Sequence, residues 1–203
     1  ITSAAIIEDG KILTAIAEER LTREKQTRKF PINAIKYCLS KANCSINELD
    51  YVANAFNPGC LLEKFNPIFS NNRRFRADYL YSVPDNLFKL IEPSKRSNDY
   101  IFQEIKCLEN NLKIYYISHH LCHAANGFFL SPFDESAILT ADGRGELNCG
   151  SFGLGKLNKI EVLRNIIIPH SLGSFYSTFT TFLGFRAEVD EWKVMALSSY
   201  SSI

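Results

Sequence analysis

The 203 residues of this chain include 46% hydrophobic and 12% aromatic side chains, which is enough to bury a core. The 23 Lys and Arg residues nearly balance the 22 Asp and Glu residues, so no broad basic surface is available for nucleic acid or an anionic membrane. No apolar run reaches the ~20 residues that span a bilayer, and the six cysteines include no CxxC pair. We therefore predict a globular, cytoplasmic protein with reduced thiols.

The first part of the chain predicts a hairpin followed by a helix. Asp9-Gly10 joins the predicted strands Ser3–Glu8 and Lys11–Ala17, because this dipeptide readily takes the positive φ angles of a tight hairpin turn. After a charged stretch, Pro31 begins a helix whose apolar residues recur at helical spacing. Residue 1 is not Met and the first strand starts at once, so we expect a piece of a longer protein.

The middle of the chain predicts an insertion and then a return to regular structure. Residues 57–112 mix apolar clusters with Asn, Pro, Ser and basic residues, and are predicted to form a mostly helical insertion. A buried strand over 113–117 follows, and Ser118 is a suitable N-cap for a helix that ends near Leu130. The next buried strand, Ser136–Ala141, ends at Asp142.

The last part of the chain predicts a meander and an amphipathic helix. Glycines mark a turn and a returning strand, and the helix over Ser171–Leu183 carries one apolar stripe formed by Leu172, Phe175, Phe179 and Phe182. Hairpins combined with strand-helix-strand units predict an α/β fold with a mixed sheet.

A histidine cluster is the strongest chemical signal. His119 and His123 are four residues apart and share one helix face, while Asp142 ends the adjoining strand. Two imidazoles and a carboxylate leave coordination positions open, which suits catalytic Fe(II), Mn or Zn. His120 points about a hundred degrees away, and is predicted to orient a ligand or to meet a substrate phosphate. The alternative is a helix start that only caps itself and packs.

The acidic glycine-rich turn after this strand allows a second interpretation. Gly143 and Gly145 let backbone N–H groups approach a phosphate or a metal-bound nucleotide, with Glu146 beside them. An ordinary hairpin turn is the alternative. Lys193, next to Trp192, is either an anion contact or part of a solvated face.

These segments resemble the N-terminal part of the NodU/CmcH carbamoyltransferase family. The resemblance covers nearly the whole chain outside 57–112. It rests on Ser3-Ala4-Ala5, Asp9-Gly10, Ala17-Glu18-Glu19-Arg20-Leu21-Thr22-Arg23, Phe30-Pro31, Ala34-Ile35, His119-His120-Leu121-Cys122-His123-Ala124-Ala125, Ser131-Pro132-Phe133, Asp142-Gly143-Arg144-Gly145-Glu146, Pro169-His170-Ser171-Leu172-Gly173, Phe175-Tyr176-Ser177, Leu183-Gly184-Phe185 and Lys193-Val194-Met195.

The resemblance implies an actin-like ATPase (ribonuclease H-like) fold, truncated here to its N-terminal portion over residues 1–203. It implies an ion, Fe(II) with Mn or Zn as alternatives, held by His119, His123 and Asp142. A further aspartate ligand would come from a later segment. Gly143, Gly145, Glu146 and Lys193 are then expected to contact the nucleotide or phosphate.

The implied reaction is transfer of a carbamoyl group from carbamoyladenylate to the hydroxyl of a small molecule. In the family, a separate C-terminal domain makes carbamoyladenylate from carbamoyl phosphate and ATP, so these 203 residues by themselves are expected to be inactive. His120 is the cluster histidine left free to act as a base. The family's own base lies in a His-Asp pair just before the first strand, a position that would precede Ile1.

The chain departs from the family pattern at two places. Gln26 replaces a histidine after the basic triplet, and Ala196 replaces a glycine after the Lys193-Val194-Met195 motif. These changes imply a different acceptor or weakened nucleotide binding. The rival hypotheses are a threonylcarbamoyl-type transferase that acts on tRNA, which the near-neutral charge argues against, and a non-catalytic scaffold or regulatory domain of the same fold.

Overall fold

The computed structural model describes residues 2–27, 29–57, 100–106 and 111–200. The chain folds as two compact units. The first comprises Ile1–Val52 with Glu104–Lys113, and the second comprises Ala53–Gln103 with Ile114–Ile203. In the described ranges, every helix is too short or too polar to traverse a bilayer.

The first unit is built on the predicted hairpin. Strands β1 (Ser3–Glu8) and β2 (Lys11–Ala17) pair antiparallel, and Asp9 and Gly10 take φ angles of 48° and 78° between them. This geometry is that of a tight turn whose twist matches the strands. The hairpin and its turn are therefore confirmed.

Two helices follow the hairpin. Helix α1 (Glu18–Thr22) falls in the charged stretch, and helix α2 (Ile32–Ala42) packs on β1 and β2. Ala34 and Cys38 form the buried face of α2, as its helical spacing predicts. A short 3₁₀ helix, Ile46–Glu48, leads into strand β3 (Tyr51–Asn54).

Most of the predicted helical insertion, 57–112, lies outside the described residues. Its described part is extended and not helical, because it includes strand β4 (Tyr100–Lys106) and the start of strand β5 (Asn111–Ile117). The strand predicted over 113–117 therefore begins two residues earlier. These strands form a three-stranded sheet in the order β3-β5-β4.

The second unit is a meander with helices. Strands β6 (Glu135–Gly145), β7 (Asn148–Lys156) and β8 (Lys159–Ile167) pair antiparallel in that order. Helix α3 (His119–Phe129) packs against β6 and β7, and helix α4 (Leu172–Phe182) packs against β6. Helix α5 (Glu191–Ser198) contacts α4. Ala124 and Phe128 of α3 and Cys149 of β7 are its buried apolar side chains in the described residues.

The sheet arrangement differs from the sequence prediction. In place of a single mixed sheet, the described strands form three small sheets, and each strand pair with a defined register is antiparallel. Short turns between consecutive strands enforce this direction, since parallel pairing needs a long crossover. The mixed α/β composition itself is confirmed.

The apolar stripe of α4 is present but not buried. Its four residues are 48–82% exposed, while the fully buried side chain of this helix is Thr180. The sequence predicts the helix correctly, but its apolar stripe is not covered by the described chain. The stripe consists of Leu172, Phe175, Phe179 and Phe182.

Candidate metal centre

Three predicted ligands converge on one point. His119 Nε2 lies 2.8 Å from Asp142 Oδ2 and 2.9 Å from His123 Nε2, and His123 Nε2 lies 3.3 Å from the same carboxylate oxygen. The three side chains are 31%, 48% and 38% exposed in the order His119, His123 and Asp142. In the described ranges, no other group of His, Cys, Asp and Glu brings three ligand atoms together in this way.

These separations fit a shared ion. Two ligand atoms at about 2.1 Å from one metal lie about 3.0 Å apart at a right angle and about 3.4 Å apart at the tetrahedral angle. The separations of 2.8–3.3 Å fall close to that range. Two imidazole nitrogens and one carboxylate oxygen on one side of an ion leave positions open for substrate or water. The donor set therefore fits a catalytic divalent metal.

The carboxylate of Asp142 is oriented by its surroundings. Gly143 N–H donates to Asp142 Oδ1 at 2.6 Å, which directs Oδ2 toward the histidines. Burial raises the pKa of Asp142, but the hydrogen bonds with His119, Gly143 and His123 outweigh burial and the net pKa is lowered. The carboxylate is therefore ionised near neutral pH, as a metal ligand must be.

The start of α4 holds the backbone that carries Asp142. Ser171 Oγ accepts from Ser174 N–H as the N-cap and lies 3.0 Å from the carbonyl oxygen of Asp142 and 2.7 Å from that of Gly143. Gly173 packs directly on the Asp142-Gly143 peptide, so a side chain at position 173 would collide with it. Helix α4 thereby braces the ligand-bearing end of β6.

Glu146 anchors the first turn of α3. Its carboxylate accepts the backbone N–H of His119 at 3.2 Å and that of Asn57 at 2.7 Å, and it is 6% exposed. Ser118 occupies the N-cap position but makes no side-chain capping bond, so Glu146 does the capping that the sequence assigns to Ser118. A carboxylate at a helix N-terminus also interacts favourably with the helix dipole.

Glu146 and Gly145 thus have structural partners within the protein. Burial raises the pKa of Glu146 by more than its hydrogen bonds from Asn57 and His119 lower it. Gly145 packs against the ring of His119, and a Cβ at this position would overlap that ring. The predicted nucleotide contacts of Gly143, Gly145 and Glu146 stay predictions, and the contacts seen here hold His119 in place.

His120 points into the protein. It is 2% exposed, and its Nδ1 lies 2.8 Å from Thr140 Oγ1, which in turn lies 2.7 Å from Ser151 Oγ. Burial lowers the pKa of His120, so its ring is neutral near pH 7. Contact with the backbone of Asn148 opposes that lowering, and the other ring nitrogen, Nε2, is buried without a hydrogen-bond partner among the described residues.

This placement does not favour His120 as the base that the sequence predicts. A base must come within hydrogen-bonding distance of the acceptor hydroxyl. Nδ1 of His120 is engaged by Thr140, and both groups are buried. At 2% exposure, the ring is not accessible to an acceptor in solvent.

Lys193 lies in a local ion pair. Its Nζ is 2.9 Å from Asp190 Oδ1 and 5.5 Å from the centroid of the Trp192 ring. Asp190 also accepts the backbone N–H of Arg186, and these bonds, with that from Lys193 first, lower the pKa of Asp190. Lys193 is 37% exposed, and its predicted contact with an anion stays a prediction.

Cys122 adjoins the ligand His123 in the sequence. Burial raises the pKa of Cys122 to about 11, so the thiolate that would bind a metal is not formed near neutral pH.

The sequence analysis does not identify four residues that support the ligands. Period-two alternation does place Thr140 on the same strand face as Asp142, and this signal could have identified it. The other three, Ser151, Ser171 and Gly173, act through contacts with segments distant in sequence.

Comparison with known proteins shows the family to which the chain belongs. The chain matches the family described as Carbamoyltransferase N-terminus over residues 2–203. The chain belongs to this carbamoyltransferase family. It is similar to the uncharacterized protein sll1178 of Synechocystis, with 35% identity over an alignment of 211 residues that covers 98% of this chain and 33% of that protein.

Two further relatives extend the comparison. Nodulation protein NolNO of Sinorhizobium fredii is 31% identical over 202 residues, covering 98% of this chain and 27% of NolNO. The uncharacterized protein MJ1051 of Methanocaldococcus jannaschii is 30% identical over 198 residues, covering 98% of this chain and 31% of that protein. The chain thus spans a third or less of the length of these relatives, and the family predicted from the sequence motifs is confirmed.

Proposed function

We propose that this chain is part of a metal-dependent O-carbamoyltransferase that moves a carbamoyl group from carbamoyladenylate to the hydroxyl of a small molecule. The convergence of His119 Nε2, His123 Nε2 and Asp142 Oδ2 within 2.8–3.3 Å of one another is the observation that supports the metal. Membership in the carbamoyltransferase family supports the group that is transferred. We also propose the actin-like ATPase fold for the parent protein.

The proposed ion is Fe(II), with Mn or Zn as alternatives. When bound, it supplies positive charge that neutralises the phosphate of the leaving AMP. His119 and His123 present imidazole nitrogens from one helix face, and Asp142 presents an oxygen fixed by Gly143. This mixed nitrogen and oxygen set suits each of these three metals.

The proposed transfer is a substitution at the carbamoyl carbon. The acceptor oxygen forms a bond to that carbon, the bond from the carbon to the phosphate oxygen breaks, and AMP leaves with the electron pair. The hydroxyl proton passes to a base. Because His120 is buried and bonded to Thr140, we propose that this base is a group other than His120.

Lys193 is the cation that we propose for the phosphate or the nucleotide. Its Nζ is partly exposed and pairs with Asp190, so an anion would have to compete with that carboxylate. The backbone of Gly143 and Gly145 lies beside the ligands, where a phosphate attached to the ion would approach it. We propose that carbamoyl phosphate is the source of the carbamoyl group. Another part of the polypeptide would combine it with ATP to make carbamoyladenylate.

A metal-binding measurement with matched histidine variants tests the proposal. The purified full-length protein, which would supply the further aspartate ligand, is titrated with Fe(II), Mn(II) and Zn(II), and its variants His119→Ala and His123→Ala are titrated in parallel. Both variants should lose the saturable binding of the wild type. His170→Ala is the control, because His170 is an exposed histidine outside the cluster and should leave binding unchanged.

Two results decide between the hypotheses. Equal loss of binding in all three variants, or no saturable binding by the wild type, would overturn the metal assignment and favour the scaffold alternative, to which the changed residue Ala196 also points. For the full-length protein, the same two ligand variants should abolish transfer of radiolabelled carbamoyl groups to a hydroxyl acceptor, while His170→Ala retains it.

A further inference from the structure

The ligands of the candidate metal centre lie at the surface, while a buried polar layer lies beneath them. His119, His123 and Asp142 are 31–48% exposed, so water competes for their hydrogen bonds. His120, Thr140 and Ser151 are 2%, 6% and 3% exposed and bond to one another in a chain. A buried hydrogen bond is retained more strongly than an exposed one, since breaking it leaves its groups unpaired and shielded from water.

The buried chain connects the two elements that carry the ligands. His120 follows the ligand His119 on α3, and its ring centroid is 5.7 Å from that of His119 and 5.9 Å from that of His123. Thr140 precedes the ligand Asp142 by two residues on β6, so both side chains lie on one strand face. The bond between His120 and Thr140 therefore links α3 to β6, close to the histidine ligands on the helix and to the carboxylate ligand on the strand.

Ser151 holds Thr140 from the neighbouring strand. It is the register partner of Thr140 across β6 and β7, and the two hydroxyl oxygens are 2.7 Å apart. Both hydroxyls can donate or accept, so Nδ1 of His120 has a partner in either tautomer of the ring. A valine at position 140 would keep the shape of threonine but could not continue this chain.

We propose that His120 is a positioning residue that, through Thr140 and Ser151, sets the register of α3 on β6 and so brings His119 and His123 to Asp142. This inference rests on the proposed function, because it concerns the ligands of the proposed ion. It replaces the role of base with a role in metal affinity. A slip of α3 by a fraction of a turn would separate its two imidazoles from the carboxylate, which β6 and α4 hold independently.

Co(II) binding followed by visible absorption tests this proposal in Thr140→Val. Bound Co(II) reports both affinity and ligand geometry, independently of any carbamoyl transfer. The control is Thr180→Val, because Thr180 is fully buried in the same unit and its hydroxyl donates to the carbonyl of Tyr176 on its own helix. Each change removes one buried hydroxyl, so thermal unfolding should show a similar loss of stability for the two variants.

The two variants should differ in the metal site. Thr140→Val should weaken Co(II) binding about tenfold or more and shift the absorption bands, as expected for loss of an orienting group outside the ligands. Thr140→Ser, which keeps the hydroxyl, should restore both, and Thr180→Val should match the wild type. Equal affinities and spectra for Thr140→Val and Thr180→Val would overturn the positioning role alone. Absence of Co(II) binding by the wild type would overturn the proposed metal as well.

Discussion

At the residue scale, glutamates from other segments of the chain cap the N-termini of two helices. The N-cap positions of α2 and α3 are Pro31 and Ser118, and neither makes a side-chain capping bond. Glu18 accepts the backbone N–H of Ala34 at 2.7 Å, and Glu146 accepts that of His119. A carboxylate that receives backbone N–H groups at a helix start stabilises that start through charge as well as hydrogen bonding.

Glu18 is the clearer case for measurement because it belongs to the compact unit that contains none of the three ligands. It is 2% exposed, and it also accepts the side-chain N–H of Asn33 at 2.6 Å. Burial raises the pKa of Glu18, but the bonds from Ala34 and Asn33 together outweigh burial and lower the pKa overall. A lowered pKa means that the folded state favours the ionised carboxylate, so this stabilisation is lost when the group is protonated.

We predict that Glu18→Gln destabilises the protein at neutral pH and that its deficit shrinks on acidification. The contribution of Glu18 is complete above its ordinary pKa of about 4.5 and falls as pH drops from there through the lower folded pKa. Urea unfolding of wild type and variant between neutral pH and the acid limit measures this. Glu161→Gln, at an exposed glutamate, is the control. A deficit that stays constant down to the acid limit would contradict the prediction.

At the element scale, helix α3 packs on the meander of β6, β7 and β8 through close side-chain contact and not through a large apolar face. Phe128 of α3 is 3% exposed and lies over Gly155 of β7, where a Cβ would stand 2.5 Å from Cδ2 of the phenylalanine ring. Gly127 is adjacent in sequence, but a Cβ there would meet nothing within 4 Å. The same substitution therefore has opposite expected effects at the two glycines.

We predict that Gly155→Ala lowers the free energy of unfolding by about 1–3 kcal/mol, because the ring of Phe128 must move out of its site. Gly127→Ala should raise the free energy of unfolding by about 0.5–1 kcal/mol. Alanine restricts the unfolded chain more than glycine does, and its methyl group fits inside the helix without a clash. Chemical denaturation of the two variants beside the wild type checks both values. Destabilisation by both changes would contradict the prediction. It would mean that the contact of Phe128 with Gly155 does not distinguish the two glycines.

At the scale of the whole molecule, the candidate metal centre belongs to one of the two compact units. All three ligands lie in the unit that contains Ile114–Ile203, and they come from α3 and from the end of β6. An ion that joins them ties the helix to the strand in the folded state only. Binding should therefore stabilise this unit by mass action.

We predict that Zn(II) at about a hundred times its dissociation constant adds about 2.7 kcal/mol to the stability of this unit. Hydrogen exchange measured by mass spectrometry should show added protection that is greatest in α3, β6 and β7, and smaller in β1, β2 and α2. The double variant His119→Ala/His123→Ala should show neither effect. Equal protection in both units, or protection that persists in the double variant, would mean that zinc acts elsewhere.

Several elements follow from local sequence, and the structure confirms them. The hairpin depends on Asp9-Gly10, the buried face of α2 on its spacing, and the shared face of His119 and His123 on a four-residue separation. In each case the determining interactions lie within a few residues along the chain. The family is also recognisable from motifs, and the match over residues 2–203 confirms it.

The sequence by itself determined which residues can share a strand or helix face, because backbone geometry imposes periods of two and 3.6 residues. Only the tertiary structure decided that His120 faces inward to Thr140, that Glu146 caps α3 in place of Ser118, and that the apolar stripe of α4 stays exposed. The physical reason is that a period defines faces but not their partners. Partners depend on packing between segments far apart in the chain, where burial decides which polar groups must be paired.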